Sequence, residues 1–294
     1  MKRLILLPIA LAALTACVPL QPVKDFASAS RDVGTTARSA YVQFDSELAK
    51  AKYTSAMLRG EPVTPETFSG ILTKDQGMEI RADMLDGLVN YASALETLAT
   101  KNTSAEINSA AADISAQLKA FEGDYKALGG TDWPLTSSDN ALIASAFKVT
   151  ADASVLQLRR NAIRNAVVKS DPAIQKISTL LQQELTSMGT VIGGYYLQNE
   201  TAFITAYEQK KAALSPGEIL AYGEMIKVIH DRIQDTPAFY GKVATCCEKI
   251  GVTHAKLRAS TGTREFLSKE FVDDVKDLVS YVKETKNHYK ELAK

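Results

Sequence analysis

The sequence is poor in the residues that do chemistry. Its 294 residues include only 3 histidines, 3 cysteines and 1 tryptophan. On a helix, two side chains share a metal ion when they lie three or four residues apart. His230 and His254 have no usable ligand at those offsets. His288 alone has carboxylates within a turn, Glu284 and Glu291, and this trio reads as the solvated face of a terminal helix. No CxxCH, paired Glu-x-x-His, GxSxG, HExxH, P-loop or GxGxxG pattern occurs. No metal, no cofactor and no catalytic residues are therefore expected. An excess of charge is missing too: 34 basic residues balance 34 acidic ones, which leaves no basic field to hold nucleic acid. No run reads as a β-strand, and prolines number only 9.

What is present is helical patterning. Apolar residues make up 46% of the chain, enough for a packed core, and they recur at threes and fours. The first helix is expected from Asp25 to about Leu58, with Phe26, Val33, Ala37, Ala40, Phe44, Leu48 and Ala51 on one face, and a stop at Gly60-Glu61-Pro62. Thr73 and Gln76 form a capping box for the second, whose seam includes Met78, Leu85, Leu88, Ala92, Leu95 and Ala99. A third follows Ser104 and ends at Gly129-Gly130, on Ile107, Ala111, Ile114, Leu118 and Phe121. A fourth is expected from Asp139 to Val168. Asp171-Pro172 reads as a restart, Asp as cap and Pro in the first turn, and opens a fifth reaching Ala213. Gly189, Gly193 and Gly194 in it mark a kink or a close helix contact. Ser215-Pro216-Gly217-Glu218 starts a sixth, Thr236-Pro237 a seventh, and the last carries Leu267, Phe271, Val275, Leu278, Val282 and Tyr289. Lys283, Lys286, Lys290 and Lys294 crowd its end, where cations suit the helix dipole. The reading is an all-α, elongated antiparallel bundle of about seven or eight helices. It divides into a three-helix part, 25–130, and a four- or five-helix part, 138–294, as two packed sub-bundles or one fused core.

The start of the chain has a different character. Lys2 and Arg3 precede an apolar stretch, Leu4 to Leu14, that is too short for a membrane span of roughly 20 residues. It closes on Leu14-Thr15-Ala16-Cys17. This resembles the lipobox of bacterial lipoproteins, an apolar residue and two small ones before a cysteine. The resemblance implies that residues 1–16 are a signal peptide removed by cleavage, and that Cys17 carries the lipid that ties the chain to a membrane. Val18 follows where an aspartate would signal inner-membrane retention, so the implied address is the periplasmic face of the outer membrane. Removing residues 1–16 takes away Lys2 and Arg3 and no acid, leaving 32 basic against 34 acidic residues. Residues 17–24, with Pro19 and Pro22, read as a short extended tether of about 3.3 Å per residue.

Two features interrupt the helical pattern. The fourth seam steps from Leu156 to Ile163, and the slot between holds Arg159 and Arg160. A guanidinium there either pairs internally, with Asp152 or Asp171, or faces an anionic ligand. Tyr195 and Tyr196 follow Gly193-Gly194, and Trp133 stands in a loop before Pro134; these rings suit an interface or a cleft. Cys246 and Cys247 are either two small packed side chains or a strained vicinal disulfide. The expectation is a non-enzymatic, lipid-anchored scaffold or adaptor that binds an envelope protein. The alternative is a small-molecule-binding bundle with a pocket near Arg159, Arg160, Tyr195 and Tyr196.

Overall fold

A computed structural model describes residues 20–65, 76–128, 155–262 and 266–292. Cys17, Trp133, Thr73 and the expected helical stretch 139–154 lie outside the described residues. Six α-helices are present, and no strand occurs among the described residues: α1 (Gln21–Arg59), α2 (Gln76–Thr100), α3 (Ser104–Ala127), α4 (Val155–Lys210), α5 (Pro216–Thr261) and α6 (Lys269–Leu292).

The ends follow local chemistry. Pro22 sits in the first turn of α1, where its missing N–H costs nothing. Four residues assigned above to the tether, Gln21–Lys24, are therefore helical, and Val23 is fully buried. Gly60 ends α1 in the left-handed region, φ 65°, its N–H reaching the carbonyls of Ala56 and Met57. Thr103 caps α3 by accepting the Glu106 N–H. At Ser215 the expected capping box forms: the hydroxyl accepts the Glu218 N–H while the Glu218 carboxylate takes the Ser215 N–H at 2.8 Å.

Two expected breaks are absent, and this is why the count is six. Pro172 lies inside α4 and Pro237 inside α5. An internal proline costs about 3 kcal/mol, mostly through a lost hydrogen bond. Tertiary packing outweighs that cost at both places. Val167, Ser170, Asp171, Ala173 and Ile174 are all buried around Pro172, and Asp171 does not act as a cap because its carboxylate is held by His254 and Arg258 of α5. At Pro237 the neighbouring helix makes room. A Cβ at Gly193 would stand 2.9 Å from the proline Cγ, and one at Gly189 would stand 3.0 Å from the Tyr240 Cβ. Those glycines form a notch for α5, the close helix contact of the two alternatives.

The α4–α5 pair is the most extensive contact and runs antiparallel along its whole length. Asp171 meets Arg258 at 3.0 Å, Glu200 meets His230 at 2.7 Å, and the rings of Tyr207 and Tyr222 lie 5.9 Å apart. Helices α1, α2, α3 and α6 clothe part of this long hairpin. α1 runs against α2, with Arg31–Glu96 at 2.8 Å, and α6 runs back along α5, with Lys256–Asp274 at 2.6 Å. The buried apolar side chains form one cluster with members from all six helices, among them Phe26, Leu88, Phe121, Leu181, Phe239 and Phe271. Each such side chain contributes about 1.5–3 kcal/mol by leaving water.

Candidate functional site

Two places stand out, one polar and closed, the other apolar and open. The first is a closed network where α2, α4 and α5 meet. His254, with no exposed surface, directs Nδ1 to Asp171 Oδ1 at 2.8 Å and Nε2 to the Tyr91 hydroxyl at 2.7 Å. Ser170 Oγ lies 2.8 Å from that hydroxyl and 3.4 Å from Nε2. Arg258 and Gln175 donate to the same aspartate, and Gln175 also bonds the Gly251 carbonyl at 2.6 Å. Burial pushes the Asp171 carboxyl up, but the hydrogen bond and charge of His254, with Gln175 and Arg258, more than offset it and hold it below the usual range. The Tyr91 hydroxyl is pushed well above its ordinary value by burial.

Ser170, His254 and Asp171 thus share the connectivity of a hydrolytic triad. Access separates them from one: Ser170 and His254 are 0% exposed and Asp171 4%, and the Tyr91 hydroxyl occupies the shorter contact on Nε2. A nucleophile must reach an acyl carbon in solvent-connected space. This network instead satisfies buried polar groups and fixes the register of α2, α4 and α5. His254 shares a helix face with Ile250 and Leu257, a polar residue on an apolar seam, but its partner lies 83 positions away, beyond the reach of any local pattern.

The residues expected near a pocket do not come together. Arg160 and Tyr195 are separated by 35 positions in one continuous helix, roughly 52 Å of rise. The pocket of four residues named above is therefore corrected to separate places. Arg159 donates to the Ala99 carbonyl at 3.2 Å, and the Arg160 guanidinium stacks over Phe266, 5.6 Å from its centroid. Asp171, one proposed partner for these arginines, is taken by His254 and Arg258; Asp152 lies outside the described residues. Phe266 itself holds a left-handed backbone, φ 62°, offset by burial of its ring against that guanidinium. Tyr196 is buried and donates to the Glu47 carboxylate. Tyr195 borders a shallow groove of about 320 Å³ with Lys52, Arg59 and Gln198.

Cys246 and Cys247 are free and buried within an unbroken helix, so the vicinal disulfide does not form. Burial pushes the Cys246 thiol up to about 11 and Cys247 higher still. His288 stacks on Phe239 and bonds the Asp235 carbonyl at 3.2 Å, while Glu284 pairs with Lys242. Among the described residues no three His, Cys, Asp or Glu side chains gather as metal ligands would.

The second place is the end of the α4–α5 hairpin, and it is open. From Ile204 to Val228 no residue is buried. Phe203, Tyr207 and Tyr222 pack ring to ring, and outside that contact stand Ile204, Ile219, Leu220, Met225 and Val228, with Leu220 69% and Val228 58% exposed. This two-helix arm is remote from the start of α1. His254 touches Phe26 near the beginning of α1, and Pro216 lies 38 residues away, roughly 57 Å along α5. No described helix is long and apolar enough to cross a membrane. Comparison with protein-family models, with curated proteins and with solved structures finds no match.

Proposed function

We propose that this chain is a non-enzymatic scaffold or adaptor of the bacterial envelope, held at the periplasmic face of the outer membrane by lipid on Cys17, and that it binds an envelope protein through its two-helix arm. The exposed apolar arm carries the reading. The side chains that stand exposed in this arm, Leu220 and Val228 foremost, gain little stability where they are, and clustered exposed apolar residues mark interaction sites. Its distance from α1 puts the docking end far from the bilayer that would hold the other end. The closed Ser170–His254–Asp171 network is consistent with the same reading, because its catalytic connectivity lies where no substrate reaches it.

Two experiments test the two halves. Radiolabelled palmitate is incorporated by the wild-type chain and not by Cys17→Ser; labelling that survives the substitution removes the anchor. Excising residues 204–228 with a short turn in their place leaves the thermal transition of the remainder intact and abolishes co-purification of the partner; retained co-purification removes the arm.

A further inference from the structure

A groove at the other end of the molecule has the form of a missing helix position. It runs between α1 and α6, encloses about 610 Å³, and is floored by Ala29 of α1 and by Val275, Val279 and Val282 of α6. The three valines follow the i, i+4, i+7 rhythm of a packed seam. Val275 and Val282 are buried at 3% and 4% exposure, yet Val279 between them is 43% exposed. The α6 lining extends from Val275 to Lys290, roughly 22 Å or four helical turns, with the valines in its first half.

Its two walls carry opposite charge. On α6, Lys276, Lys283 and Lys290 recur every seven residues and so line one edge. Lys276 pairs with Asp273 at 3.1 Å, whereas Lys283 and Lys290 make no ion pair among the described residues. On α1 the edge carries Asp25 and Asp32, and Lys286 reaches across to Asp32 at 3.0 Å. Dipole compensation explains lysines in the last turn of α6 but not Lys276 or Lys283, which stand earlier.

We propose that this groove docks an amphipathic helix of another protein, with an apolar stripe on the valines and carboxylates facing Lys283 and Lys290. The charges choose among occupants. A flat anionic bilayer would meet Asp25 and Asp32 as well as the lysines, and it could not reach a floor sunk between two helices. A small anion would leave Val279 uncovered. A helix of about four turns fills the length, covers the valines and presents acid to one wall and not to the other. The assignment stands on the groove alone and depends neither on the lipid at Cys17 nor on the arm.

Zero-length carbodiimide coupling in unfractionated native cell lysate tests it, since that reagent joins a lysine amine only to a carboxylate in contact with it. The expected product is an amide from Lys283 or Lys290 to an Asp or Glu of a different protein, in a segment with apolar residues at i, i+3 or i+4, and i+7. Val279→Glu is expected to lower its yield at least tenfold. Val42→Glu, at an exposed valine elsewhere on α1, leaves the yield unchanged, and both variants keep the wild-type circular dichroism. Coupling only within the chain, coupling to a second copy of it, a partner segment without the apolar repeat, or a yield indifferent to Val279→Glu would each overturn the proposal.

Discussion

The body around His254 and the arm beyond Phe203 share two helices, α4 and α5, yet they use their side chains in opposite ways. In the body, polar groups are buried and joined: His254, Asp171, Tyr91, Ser170, Gln175 and Arg258 form one hydrogen-bonded set. In the arm, apolar groups are exposed: Leu220, Val228 and Met225 face solvent. A buried polar group costs stability unless bonded, so the body's network specifies alignment at some energetic risk. An exposed apolar group contributes nothing to folding, so the arm's residues serve something outside the fold. One hairpin therefore separates a part that fixes shape from a part available for contact.

Cutting the network is the severest way to test the contrast. Asp171→Ala leaves His254 and Arg258 without their carboxylate in the core and is expected to cost about 3–5 kcal/mol, read by chemical denaturation. A variant within 1 kcal/mol of wild type would show that the network does not hold the body together. Next in size is the notch. Gly193→Val drives a side chain into Pro237 and is expected to cost about 1–3 kcal/mol. Gly194→Ala, one residue on and with nothing within 4 Å of its Cβ, is expected to gain about 0.5–1 kcal/mol from helix propensity. Equal effects at the two glycines would remove the close crossing from the account.

Acid probes the same network more gently. Asp171 is held below its ordinary value of 3.8 in the folded chain. Its contribution is therefore fully present above that value and is lost as pH falls through the lower, folded one. The stability gap between wild type and Asp171→Ala is expected to shrink as pH falls below that ordinary carboxylate value. A gap that widens over that range would reverse the sign and contradict the assignment. Smallest of all is the arm: Leu220→Glu is expected to change stability by less than about 0.5 kcal/mol while weakening partner binding.

Much of the fold was legible because it rests on local rules. The seams of α1 and α6 predicted from spacing are the buried faces, from Phe26 to Ala51 and from Phe271 to Val282, and the Gly60 stop and the Ser215 box sit where the sequence put them. The prolines were misread because Asp-Pro and Thr-Pro carry the same signal at a helix start as inside a helix. What decides is whether a distant element claims the aspartate or notches for the ring, and Arg258 and Gly193 do so from 87 and 44 positions away. The four-residue pocket failed for a related reason. Helical periodicity shows which face a residue is on, and the length of an uninterrupted helix sets how far apart two residues on it lie. The Ser170–His254–Asp171 network could have been suspected only from polar residues on apolar faces, a signal that His254 did carry.

The claim that matters most is that the chain works by contact through its arm. A photo-crosslinking residue placed at Leu220 in intact cells tests this directly. The account predicts a discrete adduct with one envelope protein, lost when Val228→Glu is added and absent when the probe stands at exposed Val42. No adduct at Leu220, or equal labelling at both positions, would contradict it.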